Sequence, residues 1–309
     1  MNSLKGRDLL SLNDFTPEEI RAVLDLAGEL KAKQKRGEPH PYLQGKTLGM
    51  IFQKSSTRTR VSFEVAMYQL GGHALFLNAG DLQLGRGETI ADTARVLSRY
   101  VDGIMIRTYA QSDVEELARY ADVPVINGLT DLFHPCQILA DLLTVRERKG
   151  ALAGLKAAYV GDGNNVCHSL LFGCAKTGMH LAVASPPGYE PAAEIVSLAR
   201  AGARETGGRI NITNDPAEAV READVVITDV WAGMGREAEA QARAKVFAPY
   251  QVNRELVSHA RPDFIFLHCL PARRGEEVTD EIIDGPHSAV WDEAENRLHA
   301  QKAVLVLLL

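Results

Sequence analysis

The sequence predicts an α/β protein of two domains, each a parallel sheet flanked by helices, followed by a C-terminal helix. Three observations carry this. Short apolar runs alternate with segments of helical period almost throughout, and a βαβα order implies parallel sheets. At 309 residues the chain is long enough for two domains of ordinary size. A glycine-flanked break at 150–156 separates one alternating run from the next. The expected division is 1–149 and 150–291, with the terminal helix over about 292–309.

Near the N-terminus, Thr16-Pro17-Glu18-Glu19 combines a capping residue, a proline at the first helical position and a capping-box Glu. The helix that follows carries Ile20, Val23, Leu24, Ala27 and Leu30 on one stripe. Thr47 to Phe52 reads as a buried strand, and Val61, Phe63, Val65, Ala66 and Leu70 then recur at helical spacing up to Gly71-Gly72. A helix therefore starts near Ser56. Its first turn offers unpaired N–H groups, three hydroxyls (Ser56, Thr57, Thr59) and the guanidinium groups of Arg58 and Arg60, a combination suited to a phosphoryl group. A strand at 73–77 leads to the loop Asn78 to Glu88, whose Gln83, Arg86 and Glu88 fit a functional loop and a surface loop equally well.

Thr89 to Tyr100 reads as a helix and Gly103 to Ile106 as a strand ending at Arg107, where open α/β sheets bind ligands. Ser112-Asp113-Val114-Glu115 is a second capping box, and Pro124 to Asn127 another strand. His134-Pro135-Cys136-Gln137 opens the next helix. It places His134 at the cap, facing the same crevice as Arg107, either as a structural cap or as a donor to a carbonyl.

In the second half, Ala157 to Gly161 is a strand, and Gly161-Asp162-Gly163-Asn164-Asn165 leads into a helix over 166–177. This is half of a dinucleotide fingerprint. Val166 stands where the third Gly belongs, and Ser185 where an acidic ribose ligand belongs, so an NAD dehydrogenase is disfavoured. Asn164 and Asn165 instead offer side chains that grip polar groups. Strands follow at 180–184, 209–212 and 225–228, and helices at 190–205 and 216–222. Asp229, at a strand's carboxyl end before Gly233-Met234-Gly235, fits a partner for an ammonium group and an acidic strand terminus without function equally well. The strand 263–267 delivers His268-Cys269-Leu270-Pro271, and 291–303 forms the C-terminal helix, carrying Glu295-Asn296-Arg297.

Composition narrows the function. A net charge of −6 argues against nucleic-acid binding, so any anion is held by a local cluster. No apolar run approaches the roughly 20 residues that span a bilayer, and the polar first residues lack a signal sequence. Cys136, Cys167, Cys174 and Cys269 form no Cys-x-x-Cys pair, which points to a reducing cytoplasm. The nine histidines show no metal-ligand spacing, so neither metal nor cofactor is expected.

Taken together, Ser56-Thr57-Arg58-Thr59-Arg60, Arg107, His134 to Gln137, Gly161 to Asn165, Asp229-Val230-Trp231, His268 to Pro271 and Glu295-Asn296-Arg297 resemble, in order and from end to end, the ornithine carbamoyltransferases. Aspartate carbamoyltransferases are similar in the first half, but typically have proline at the position of Cys269. The resemblance implies a carbamoyl-phosphate domain first and an ornithine domain second, with the C-terminal helix returning to the first. It implies that Ser56, Thr57, Arg58 and Thr59 bind the phosphate and that Arg107 bridges phosphate and carbamoyl oxygen. His134, Gln137, Cys269, the main chain of Leu270 and Arg297 would hold the carbamoyl group. Gln83 would reach a neighbouring subunit's site, which implies a homotrimer or a multiple of trimers. Asn165, Asp229, Gly233 and Met234 would hold ornithine, with Arg107, His134, Asp229 and Cys269 acting in catalysis.

The implied reaction is attack of the uncharged δ-amine of L-ornithine on the carbamoyl carbon, giving citrulline and phosphate. The family usually shows Ser-Met-Gly where this chain has Gly233-Met234-Gly235, so one hydroxyl donor to the amino acid is absent. That keeps putrescine or a modified ornithine open as acceptors. A non-catalytic anion-binding module would not need His134, Asp229 and Cys269 at separate strand ends.

Overall fold

The computed structural model describes residues 4–233 and 237–309. Each strand expected from the sequence is present, and the strands pair in parallel within two separate sheets. The chain divides into two compact units. The first runs to Ala140 and includes Asn296–Leu309; the second is Asp141–Glu295.

In the first unit, α1 (Pro17–Lys35) starts with the capping box at Thr16 and buries Ile20, Val23, Leu24, Ala27 and Leu30, as the stripe requires. Then come β1 (Thr47–Phe52), α2 (Thr57–Gln69), β2 (His73–Asn78), α3 (Ile90–Leu97), β3 (Gly103–Arg107), α4 (Gln111–Tyr120), β4 (Val125–Leu129) and the start of α5 (Pro135–Lys149). The sheet order is β2-β1-β3-β4. After β1 the chain moves to one side and then, at β3, to the other, which makes a topological switch point between β1 and β3. Phe52 pairs with Arg107, so the turn into α2 and Arg107 leave the sheet side by side.

Two local expectations are corrected here. The segment Asn78 to Glu88 contains two tight 3-10 turns, Ala79–Asp81 and Gln83–Arg86. The capping box at Ser112 does not form: α4 begins at Gln111, behind Ala110, with no side-chain cap. Asp131 Oδ1 accepts the Gln111 N–H instead, at 3.0 Å, so a residue 20 positions away does what a local Ser would have done.

The second unit contains β5 (Lys156–Val160), α6 (Asn165–Thr177), β6 (His180–Ala184), α7 (Ala193–Thr206), β7 (Arg209–Thr213), α8 (Pro216–Val220), β8 (Val225–Thr228), α9 (Ala240–Phe247), α10 (Arg254–Val257), β9 (Ile265–His268), α11 (Asp280–Ile283) and the start of α12 (Val290–Leu308). Its sheet order is β7-β6-β5-β8-β9, with the switch point between β5 and β8. Val160, Val226, Phe266, Val252, Ile283 and Val290 belong to one buried cluster. Helix α7 starts three residues later than expected. Glu190 is committed to the Gly188 N–H and the Asn214 amide, and Pro191 follows it.

The C-terminal helix returns to the first unit. Lys31 Nζ donates to Asn296 Oδ1 at 2.7 Å, and Lys302 Nζ to Gln34 Oε1 at 2.7 Å, both tying α12 to α1. No described helix is long and apolar enough to cross a membrane.

Candidate active site

In the first unit the ends of β1, β3 and β4 carry the expected anion-binding side chains. Ser56 has extended backbone and caps α2, its hydroxyl accepting the Thr59 N–H at 3.3 Å. Thr57 is exposed in the first turn, Arg58 is half-buried and Thr59 is buried. Arg107 ends β3. After β4, Thr130 Oγ1 accepts the N–H groups of Leu132 and Phe133, a tight turn that redirects the chain so that His134 precedes Pro135 at the start of α5.

Arg297, on the returning end of α12, ties this cluster together. Its Nη1 donates to Gln137 Oε1 at 2.6 Å and its Nη2 to Thr59 Oγ1 at 3.2 Å. His134 is buried, and its pKa lies well below the usual imidazole value, first through burial and then through the positive charges of Arg297, Arg107 and Arg58. A neutral imidazole among three arginines is a hydrogen-bond donor that adds no charge of its own. Such a group suits a polarised carbonyl next to an anion.

Two residues of the expected signature are used elsewhere. Arg60 is exposed; its Nε pairs with Glu64 at 2.9 Å and its guanidinium lies 3.7 Å from the Phe76 ring centroid. It therefore lies on the surface of this unit, engaged with Glu64 and Phe76. Cys136 donates to the Asn127 carbonyl, and burial pushes its thiol up to about 11. Gln83 stands exposed at the start of its 3-10 turn and is not hydrogen-bonded to the cluster.

In the second unit the switch point assembles a different set. Strands β5, β8 and β9 are neighbours, so the Gly161–Asn165 turn, Asp229 and Cys269 emerge from adjacent strand ends. The glycines of the turn have a packing role. Gly161 has φ +149, and a Cβ on Gly163 would sit 2.2 Å from the Pro191 nitrogen. Asn164 caps α6 with its carbonyl oxygen and donates its amide to Asp229 Oδ2 at 2.7 Å. Cys269 Sγ donates to Asp229 Oδ1 at 3.1 Å. Burial, then the Asp229 carboxylate, push the Cys269 thiol well above its usual range, so it stays protonated. Asn165 starts α6 beside this group, and Gly233 lies past the end of β8, with no atom of the described residues within 4 Å of where a Cβ would be. Met234 lies outside the described residues.

The loop bearing Cys269 is held from behind. His268 Nδ1 accepts the Leu270 N–H at 2.9 Å, and its Nε2 meets Glu277 Oε1 at 3.1 Å, with both side chains buried. Leu270 itself has φ +56, a strained conformation for a branched residue. Since its N–H is engaged, a main-chain contact from Leu270 to a ligand falls to the carbonyl. Asp229, His268 and Cys269 also form a metal-capable group, their ligand atoms within 4.8 Å of one another. Here both ring nitrogens of His268 are hydrogen-bonded and the Cys269 thiol donates to Asp229, so the three side chains are joined as a hydrogen-bonded set.

Sequence reasoning missed what supports these side chains. Asn164 was expected to grip a ligand, yet it orients Asp229. Glu277 gave no sequence signal, because an irregular loop without a regular period brings it back to His268. The spacing of Asn164 before Val166 and Cys167 is the one cue that would have exposed its capping role.

Residues 7–147 match the family model for the aspartate/ornithine carbamoyltransferase carbamoyl-P binding domain, and residues 153–308 match its Asp/Orn binding domain. The chain belongs to the aspartate/ornithine carbamoyltransferase family. Among relatives in this family, the ornithine carbamoyltransferase of Carboxydothermus hydrogenoformans is 69% identical over 307 residues, covering 99% of each chain. The anabolic ornithine carbamoyltransferase of Pyrococcus furiosus is 63% identical, over 99% of this chain and 98% of its own. A solved structure of ornithine carbamoyltransferase from Pyrococcus furiosus superimposes with a TM-score of 0.97, covering 100% of this chain and 98% of that one. Another, from Thermus thermophilus, is 44% identical with a TM-score of 0.88, covering 98% of this chain and 99% of its own.

Proposed function

We propose that this protein transfers the carbamoyl group of carbamoyl phosphate to the δ-amine of L-ornithine, releasing citrulline and phosphate. The observation that carries the chemistry is the buried, neutral His134 flanked by Arg58, Arg107 and Arg297 at the carboxyl ends of a parallel sheet. That cluster matches a ligand with an anionic end and a carbonyl. Full-length identity of 62–69% to proteins named ornithine carbamoyltransferase supports the acceptor.

In this reading the Ser56 end of α2, with Thr57, Arg58 and Thr59, receives the phosphate, and Arg107 spans phosphate and carbamoyl oxygen. His134 and Arg297 stabilise the oxyanion as the amine attacks, each well-placed donor contributing about 2.7–4 kcal/mol. Gln137, Cys269 and the Leu270 carbonyl orient the carbamoyl amide. The C–N bond forms, the C–O bond to phosphate breaks, and the proton lost by the amine leaves with the phosphate. Asp229 fixes the α-ammonium so that the other amine is presented, while Asn165 and the Gly233-Met234 segment hold the carboxylate. The amine attacks as the free base, and with a pKa near ~10 it is about one part in a thousand deprotonated at pH 7. Cys269, kept as a thiol, lies beside that nitrogen without demanding charge on it.

We also assign a homotrimeric assembly in the cytoplasm. Leu75 and Phe76 on edge strand β2 and Val61 on α2 are exposed apolar residues in one part of the first unit, and a second copy of the chain would cover them. Gln83, exposed nearby in sequence, would then serve a neighbour's site. The test of function is citrulline formation from carbamoyl phosphate and ornithine, beside putrescine, N-acetylornithine and aspartate. A clear preference for ornithine is expected; turnover confined to another amine would overturn the acceptor and leave the carbamoyl donor standing.

A further inference from the structure

We propose that Arg243 is a positioning residue for the acceptor half of the site, locking together the two chain segments that carry Asp229 and its partner Asn164. This rests on the carbamoyl-transfer reading above and adds to it a residue that never touches substrate.

Arginine is rarely buried, yet Arg243 is only 1% exposed on α9. Its Nη1 donates to the Trp231 carbonyl at 2.9 Å, two residues beyond Asp229, and reaches Asp162 Oδ2 at 2.9 Å, two residues before Asn164. One nitrogen thus bridges the end of β8 and the turn after β5, the strands that flank the switch point. The guanidinium lies 4.9 Å from the Tyr189 ring centroid and 5.9 Å from that of Phe247, on which the Trp231 indole also stacks at 5.9 Å. Its Nε pairs with Glu239 at 2.8 Å.

A guanidinium is costly to bury, and its Nη2 has no hydrogen-bond partner among the described residues. Packing alone would favour an apolar side chain there. What an apolar side chain cannot supply is simultaneous purchase on a main-chain carbonyl and a carboxylate from a second segment, and the guanidinium adds the Nε contact to Glu239. The Asn164–Asp229 hydrogen bond spans the same two segments, so relative movement between them would misplace the carboxylate that meets the acceptor.

The test is steady-state kinetics of wild type, Arg243→Lys, Arg243→Met and Asp162→Asn, with each substrate varied in turn and thermal midpoints recorded. The ornithine KM is expected to rise about tenfold or more in both Arg243 variants, while the carbamoyl phosphate KM stays within about twofold, as for a small misplacement of a binding group. Asp162→Asn, which keeps the side chain's size, is expected to raise the ornithine KM roughly threefold and serves where the Arg243 variants do not fold. An unchanged ornithine KM in any folded variant, or a parallel rise in both KM values, would overturn the proposal. Failure of the wild type itself to form citrulline would bring down the functional reading, and the proposal with it, a result distinct from an unresponsive variant.

Discussion

The two units solve the same architectural problem with opposite electrostatics. Each places its polar side chains at the switch point of a parallel sheet, yet the first surrounds His134 with arginines and the second surrounds Cys269 with carboxylates. In both, a titratable group is kept uncharged. Cations around the imidazole disfavour imidazolium, and the anion beside the thiol disfavours thiolate, with burial the larger cause in each case. The same scaffold therefore yields neutral hydrogen-bond donors on both sides, while the surrounding charge is positive in one unit and negative in the other.

The largest effects should come from removing that surrounding charge. Arg107→Ala is expected to lower kcat by about 10²–10³-fold and weaken carbamoyl phosphate, judged by kinetics with each substrate varied. Asp229→Asn should raise the ornithine KM by roughly a hundredfold while barely moving that of carbamoyl phosphate. If both variants lost both affinities equally, the division of labour between the units would be wrong.

Acidity tests the neutral groups directly. Since His134 stays neutral when folded but titrates near 6.5 when unfolded, the unfolded state binds the extra proton below that pH. His134 therefore subtracts stability as pH falls below about 6.5, and His134→Gln should flatten the stability loss between pH 7 and 5 in denaturant unfolding. Activity at saturation should rise with pH through the neutral range as the acceptor amine deprotonates. A flat profile would contradict attack by a free amine. Cys269 should resist alkylation at neutral pH, and Asp229→Asn should speed labelling a few-fold, because one cause of the raised thiol pKa is removed while burial remains. The smallest change is Gly233→Ser. No atom of the described residues lies within 4 Å of the added Cβ, so the variant should fold normally and lower the ornithine KM a few-fold through its new hydroxyl.

The legibility of the chain followed the range of its interactions. The strands were readable because burial on both faces of a parallel sheet demands unbroken apolar runs, as in Val225 to Thr228. The caps at Thr16 and Ser56 were readable because donor and acceptor are three residues apart. The Ser112 box was misread for the same reason in reverse: Asp131 supplied that helix end from across the fold. None of α9, α10 and α11 was expected: α10 and α11 are single turns, and α9, rich in alanine and charged residues, shows no apolar stripe.

By itself, the sequence determined the two-domain parallel α/β plan, the strand ends that carry the polar side chains, and a family signature spread over the whole chain. Local hydrogen bonding and apolar periodicity suffice for the first two. Only the tertiary structure decided that Arg60 turns to Glu64 and Phe76, that Asn164 is spent on Asp229, and that Arg297 reaches Gln137 from 160 residues away. Those outcomes depend on which side chains meet across strands and returning helices, and a one-dimensional pattern carries no distance between residues that far apart.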